Sequence, residues 1–234
     1  KDSHKYVPEF LEDIIEKNLN CVNFIKTPNN SLPLFNGAAS LKISQIDKYL
    51  ENLKPNNKNN NLGGLFKIKH KNHFVIIDID KPPQIKFSKS YQSGPLSFEY
   101  FLDGTKIITN SGFGNRISKK AELLSRLTAC QSTLTINETS ITKFEKNEMI
   151  NKVFGNSIKN TFKSFDVSEI NENDIVGCSA SNNGYEKKFG CTHKREIYLN
   201  KRDNFLKGID HIFKAKDGYP IRYAFRFHIN PELS

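Results

Sequence analysis

Cysteine, arginine and long apolar stretches are all scarce in this chain of 234 residues, and each scarcity removes a class of protein. The four cysteines, at 21, 130, 178 and 191, are too few and too scattered for a disulfide framework. No C-x-x-C pair suggests a zinc ribbon or a redox motif. No apolar run approaches the roughly 20 residues of a bilayer-crossing helix, so no membrane insertion is expected. The first residue is Lys1 rather than Met, and nothing near it has the apolar core and small-residue cleavage site of a signal peptide. The sequence is therefore read as a processed chain or a fragment. Of 35 basic residues only 6 are Arg. The net charge of +10 is carried almost wholly by lysine in an asparagine-rich chain, so it gives modest support for a polyanionic partner. With no helix-turn-helix, RNA-binding aromatic motif or dense arginine stripe, nucleic acid is not expected as a partner.

What the chain does have is aromatic mass: 18 Phe and 8 Tyr fill a core although only 37% of residues are hydrophobic. Residues 1–54 are written in helical period. After Pro8, the apolar positions Phe10, Leu11, Ile14, Ile15, Leu19, Val22 and Ile25 fall three or four apart and predict an amphipathic helix. Thr27-Pro28 ends it, because the residue before proline is pushed out of the helical region. Ile43, Ile46, Leu50 and Leu53 predict a second helix, with Ser44 and Asp47 spaced as a capping box. Residues 55–61 (PNNKNNN) hold no apolar side chain and predict a linker. From Leu62 onward the period becomes that of strands. Residues 74–79 read as a buried strand, and Leu96, Phe98 and Tyr100 alternate with polar neighbours up to an Asp103-Gly104 hairpin turn. Ser132–Asn137 alternates again, and a short helix is predicted over Lys119–Arg126. Near the end Ile221, Tyr223, Phe225, Phe227 and Ile229 share one face, while Arg222, Arg226 and His228 share the other, read as solvated. Many short strands with few helices predict a mainly β fold, an antiparallel β-sandwich over 62–234.

Three segments then carry a likeness: SYQSGPLSFEYFLDGTKIITNSG (90–112), RLTACQSTLTINETS (126–140) and NGYEKKFGCTHKREIYL (183–199). In this order they resemble the C-terminal β-sandwich of the heparinase II/III family of polysaccharide lyases, in its bacterial branch. RYAFRFHINPEL (222–233) fits a further strand of that branch, and LPLFNGAAS (32–40) resembles the last turn of the family's α/α toroid. The resemblance implies that residues 1–54 are the last helices of such a toroid. It also implies an enzyme that cleaves an acidic, uronate-containing polysaccharide by β-elimination, in the periplasm or cell envelope. The principal base and acid, a Tyr and a His with a neutralising Asn or His, are expected mainly in the toroid, so no catalytic residue is assigned in this chain.

In the family's sandwich, two histidines, an aspartate and a further histidine occupy positions that fall here at Ser90, Gln92, Asn110 and Gln131, and in some members part of this set binds a structural zinc. Amides and a hydroxyl are poor zinc ligands, so no metal and no other cofactor is expected, and Gln92 and Gln131 are expected to bridge through their amides. Tyr91, Gln92, Arg126 and Gln131 are the candidate substrate-binding residues. Each has a plainer reading: Arg126 pairs with a sugar carboxylate or with Glu122, the glutamines are simply satisfied buried amides, and Tyr91 and Tyr185 stack on sugars or pack. Cys191 and His193 read as a buried thiol beside a hydrogen-bonded histidine, and His193-Lys194-Arg195 as pairing within a sheet. The alternative function is a non-catalytic acidic-glycan-binding or structural module with a degraded lyase site.

Overall fold

A computed structural model describes residues 8–39, 43, 47, 50, 60–215 and 222–233. The predicted first helix is α1 (Glu9–Ile25), and Lys26 ends it in extended geometry ahead of Thr27-Pro28. The second predicted helix lies mostly outside the described residues, as do residues 55–59 of the linker. Asn61, the last linker position, is already paired with Phe66. Along α1 only Phe24 is buried, and Phe10, Leu11, Ile14 and Ile15 are open to solvent. Among the described residues Asp47 and Leu50 are also helical, and a toroid is not visible among them.

Three antiparallel sheets follow. The first runs in the order β1 (Asn61–Leu62), β2 (Leu65–His70), β3 (His73–Asp78), β4 (Phe98–Leu102), β5 (Thr105–Thr109) and β12 (His228–Ile229). The second runs β10 (Phe205–Lys214), β9 (Cys191–Asn200), β8 (Ile175–Tyr185) and β7 (Ser164–Glu172). The third is a pair, β11 (Tyr223–Phe225) and β6 (Leu134–Ile136). Short helices α2 (Lys119–Ser125), α3 (Glu148–Phe154) and α4 (Glu186–Phe189) connect strands. Ser118 caps α2, its hydroxyl accepting from the Ala121 amide. Asp103 and Gly104 both take positive φ, as the tight β4–β5 hairpin requires.

The sandwich core is the contact of the first two sheets: Phe66, Ile68, Val75, Ile77 and Phe98 from one meet Cys178, Ala180, Ile197 and Leu199 from the other. β3 is buried along its whole length, because its other face is covered too. There Phe74, Ile76 and Phe101 pack against Phe35 and Ile25 of the N-terminal segment. That second cover is why β3 reads as a continuous apolar run rather than an alternation.

The C-terminal alternation departs from expectation. It breaks into β11 and β12, which pair with different sheets, and Ile221 lies outside the described residues. Of the face expected to be solvated, Arg222 is exposed, but Arg226 and His228 turn partly inward: Arg226 binds Thr135 and Glu138, and His228 Nε2 meets the Ala129 carbonyl at 3.0 Å. Tyr223, Phe225, Phe227 and Ile229 keep much of their surface open. Polar partners already buried on β6 and its flanks draw Arg226 and His228 in.

Candidate functional site

The loop at 32–38 is one place where the N-terminal segment touches the sandwich. Asn36 and Gly37 both have positive φ, and a Cβ on Gly37 would lie 2.7 Å from that of Ser90, so only glycine fits this approach. The Gly37 amide donates to Gln92 Oε1 at 3.1 Å, and Asn36 Nδ2 donates to Asp78 Oδ2 at 3.2 Å. Between this loop and the chain after β3 opens a cleft of about 460 Å³, lined in part by Asn36, Asp78, Asp80, Lys81, Ser90 and Tyr91.

Behind the cleft sits a knot of buried amides. Gln92 Nε2 donates to the carbonyls of Gly112 (3.0 Å) and Ser125 (3.1 Å), which with Gly37 uses its whole amide. Gln131 Nε2 donates to the same Ser125 oxygen at 2.7 Å. The two glutamines therefore meet through a shared carbonyl rather than by the direct amide bridge expected. Asn110 Oδ1 accepts from the Ser132 amide at 2.8 Å, while its Nδ2 is buried with no acceptor among the described residues.

Arg126 is fully buried, and its guanidinium donates to three backbone carbonyls: Tyr91 at 2.8 Å, Ser88 at 2.8 Å and Asn156 at 2.5 Å. It also lies 4.1 Å over the Phe144 ring. Burial lowers its pKa to about 10, with nearby Glu122 pulling weakly the other way and making no ion pair. Glu122, the plainer of its two expected partners, is not what holds it; the loops after Phe87 and after Gly155 are. Tyr91 borders the cleft but packs into a core with Leu134, Ile136 and Ile158. Burial raises its hydroxyl well above the usual range. Tyr185 is also buried, its hydroxyl donating to the Thr139 carbonyl at 2.6 Å, so its ring offers no platform.

Asp78 is the residue that sequence reading passed over. It ends β3, is buried at the cleft floor, and its carboxyl is raised to about 7. Burial is the largest cause; hydrogen bonds from the Asp80 amide and Asn36 oppose it, and the Asp80 charge adds to it. The one available signal was an acid closing an otherwise apolar strand.

A second buried polar cluster lies in the sandwich. Arg195 Nε and Nη2 bind the two oxygens of Asp210 at 2.7 and 3.0 Å, and its Nη1 reaches the carbonyls of Leu96 and Ser132 at 2.8 Å each. His193 Nε2 meets Asp210 Oδ1 at 2.7 Å. Burial pushes the Asp210 carboxyl up, but the hydrogen bonds from His193 and Arg195 and the Arg195 charge outweigh it and bring it to about 2. Burial lowers His193 against the pull of Asp210, so the neutral ring donates through Nε2. Cys191 and His193 are both buried, and all four cysteines are free thiols.

A family model described as "Heparinase II/III-like, C-terminal" matches residues 54–234. The chain belongs to the heparinase II/III-like family. Solved heparinase III structures share its fold. One, a heparinase III from gene BT4657, is 15% identical, covers 90% of this chain and aligns with TM-score 0.66; another heparinase III is 16% identical, covers 97% and aligns at 0.66. A mutant of the heparan sulfate lyase HepC from Pedobacter heparinus is 16% identical, covers 88% and aligns at 0.62. These alignments take in 34%, 38% and 33% of the respective structures, so the chain spans about a third of its solved relatives. No curated protein matches. Heparinase II/III-like residues that the resemblance ties to zinc are replaced here by a set that does not fit the metal. The amide oxygens of Gln92 and Asn110 already accept backbone N–H groups, and Asn110 directs an unpaired N–H, a donor, into the space. Among the described residues no three His, Cys, Asp or Glu side chains are grouped to hold a metal ion, and no helix is long and apolar enough to cross a membrane.

Proposed function

We propose that this chain is the sandwich portion of a lyase that cleaves a uronate-containing polysaccharide by β-elimination, with the cleft before the amide knot as its contribution to the sugar site. The observation that carries the reading is the docking of the 32–38 loop onto Ser90 and Gln92, which opens the cleft beside one of the segments that resemble the family's sandwich. In such a reaction a base takes the C5 proton, the electron pair forms the new double bond, and the glycosidic oxygen leaves with a proton. The sugar carboxylate must be neutralised while charge builds on it. Asp78, half protonated near neutrality, offers an O–H donor at the cleft floor, as a buried carboxylic acid does elsewhere. Lys81 at the cleft's edge brings positive charge. Tyr91 walls the cleft, and Gln92, Arg126 and Gln131 hold that wall in place from behind. The C5 base and the acid belong to the helical portion that the solved relatives' greater length leaves room for. We place the boundary of that portion at 55–61, and its compartment in the periplasm or cell envelope.

A binding or structural module without catalysis is the second reading, favoured by amides standing where the resemblance has imidazoles. Incubating the full-length gene product with a panel of uronate polysaccharides, and following the ultraviolet absorbance of unsaturated uronate, decides between them. Absorbance growth on one polymer, slowed at least tenfold by Asp78→Ala, is the expected result. Binding without absorbance across the panel favours the second reading.

A further inference from the structure

We propose that the chain carries a second glycan site, a lysine-lined cleft running to the β2–β3 hairpin, which takes the carboxylate or sulfate groups of an acidic polysaccharide next to the first cleft. This cleft, of about 860 Å³, lies between the end of α1 and the hairpin and is lined in part by Lys26, Lys67, Lys69, Lys71, Asn72 and Asp103. Lys67 and Lys69 oppose Ile76 and Phe74 in the β2–β3 ladder, so both stand on the sheet's outer face, about 7 Å apart along the strand. Lys71 follows in the turn with φ 48°.

The positive charge here is unbalanced. Lys26 is tied to Asp47 at 2.6 Å, and Lys106 on the neighbouring hairpin to Glu99 at 2.9 Å. Among the described residues no carboxylate pairs with Lys67, Lys69 or Lys71. Asp103, the one acid lining the cleft, accepts from Asn72. Lys67 is held in place rather than free: its Nζ donates to the Phe24 carbonyl at 3.0 Å and lies 4.2 Å over the Phe24 ring. Burial and the charge of Lys69 both lower its pKa, the sign of an ammonium that an added anion would stabilise. Three cations in a row, one of them fixed, suit a repeating polyanion better than a single small ion.

The aromatic rings beside the cleft, Phe24 and Phe74, are buried and offer nothing for bases to stack on, which disfavours single-stranded nucleic acid. The two clefts adjoin on one face of the sheet: Ile25 and Leu65 line the first, Lys26 and Lys67 the second, and Leu65 and Lys67 are about 7 Å apart by strand rise. One extended polysaccharide therefore reaches both, and the lysines supply binding away from the reacting bond. The choice of glycan rests on the proposed function, but the test reads binding alone, so a lack of turnover leaves it unaffected.

The experiment measures the affinity of the chain for heparin, polygalacturonate, dextran and duplex DNA over a salt series. K67Q/K69Q/K71Q is compared with K119Q/K120Q/K152Q, which removes the same charge from helices elsewhere, and melting curves report folding. The hairpin variant is expected to lose tenfold or more for heparin or polygalacturonate and to flatten the salt dependence, while the control loses less than threefold and dextran binds neither. Loss on heparin alone assigns the site to sulfate, and loss on both polymers to carboxylate as well. Equal losses in the two variants, no loss in either, or DNA binding as tight as the glycans and lost in the same variant would overturn the proposal. If the triple variant melts early, Lys71→Glu, on an exposed turn, carries the same test with a threefold loss as the threshold.

Discussion

Two buried polar clusters in this molecule treat a carboxyl group in opposite ways. Gln92 and Gln131 bind backbone carbonyls and an amide rather than charged groups, and Asp78, tied to the same Asn36–Gly37 loop, is pushed to about 7, towards its protonated form. Around Arg195 the same side chain at Asp210 is pulled to about 2 and stays ionised. Burial acts on both in one direction. The difference is the partner: Asn36 and one backbone amide cannot offset desolvation at Asp78, whereas a two-pronged guanidinium does so at Asp210. The charged cluster fixes the sandwich, and the neutral one leaves a group free to change its proton beside a cleft.

The sharpest way to break this contrast is Arg195→Ala. It leaves Asp210 buried and orphans the Leu96 and Ser132 carbonyls, and a loss of about 3–5 kcal/mol is expected in denaturant titration. Next comes pH, where the two acids pull in opposite directions. The Asp78 carboxyl sits above its unfolded value, so its contribution is fully present below about pH 4 and lost as pH rises towards 7, on the order of 3 kcal/mol. Asp78→Asn should flatten that descent; an unchanged slope would show that Asp78 is ionised in the fold. The Asp210 carboxyl sits below its unfolded value, so its contribution, about 2 kcal/mol, is present above about pH 4 and lost as pH falls towards 2. Asp210→Asn should remove that acid limb in the same titrations.

The neutral cluster responds less. Gln92→Ala strips partners from the Gly37 amide and from two carbonyls, and about 1–3 kcal/mol should be lost with no change in the pH profile. The smallest effect is expected from zinc. Added to the chain in calorimetry at neutral pH it should shift the melting temperature by less than a degree, and a rise of several degrees would mean that the amides rearrange to ligate.

The sequence made the sandwich legible because β3, β4, β5 and β6 sit in the local grammar of their residues: a double-faced apolar run, an alternation and an Asp-Gly turn. It also placed α1 and α2 where they lie. Side-chain partners were less legible. Asp210 meets Arg195 only because β10 and β9 pair in a register fixed by the whole ladder, and nothing near Arg195 in sequence announces it. Gln92 and Gln131 share a carbonyl from Ser125, a residue that no pairing of glutamines predicts. The C-terminal alternation pointed to a single strand with its polar face outward, and long-range pairing with β6 and β5 turned Arg226 and His228 partly inward.

The stitching of β11 to β6 and of β12 to β5 has a kinetic meaning as well. Two-residue turns join β2 to β3 and β4 to β5, and 19 residues join β3 to β4, so these strands pair locally, whereas His228 must find Thr109 across more than a hundred residues of intervening chain. Closing so long a loop is slow, since its entropy is spent before any ladder bond repays it. Until it closes, β5 presents an unpaired edge, able to recruit a strand from another molecule. Crowded refolding should therefore yield aggregates seeded at β5, and a peptide copying residues 222–233 should suppress them.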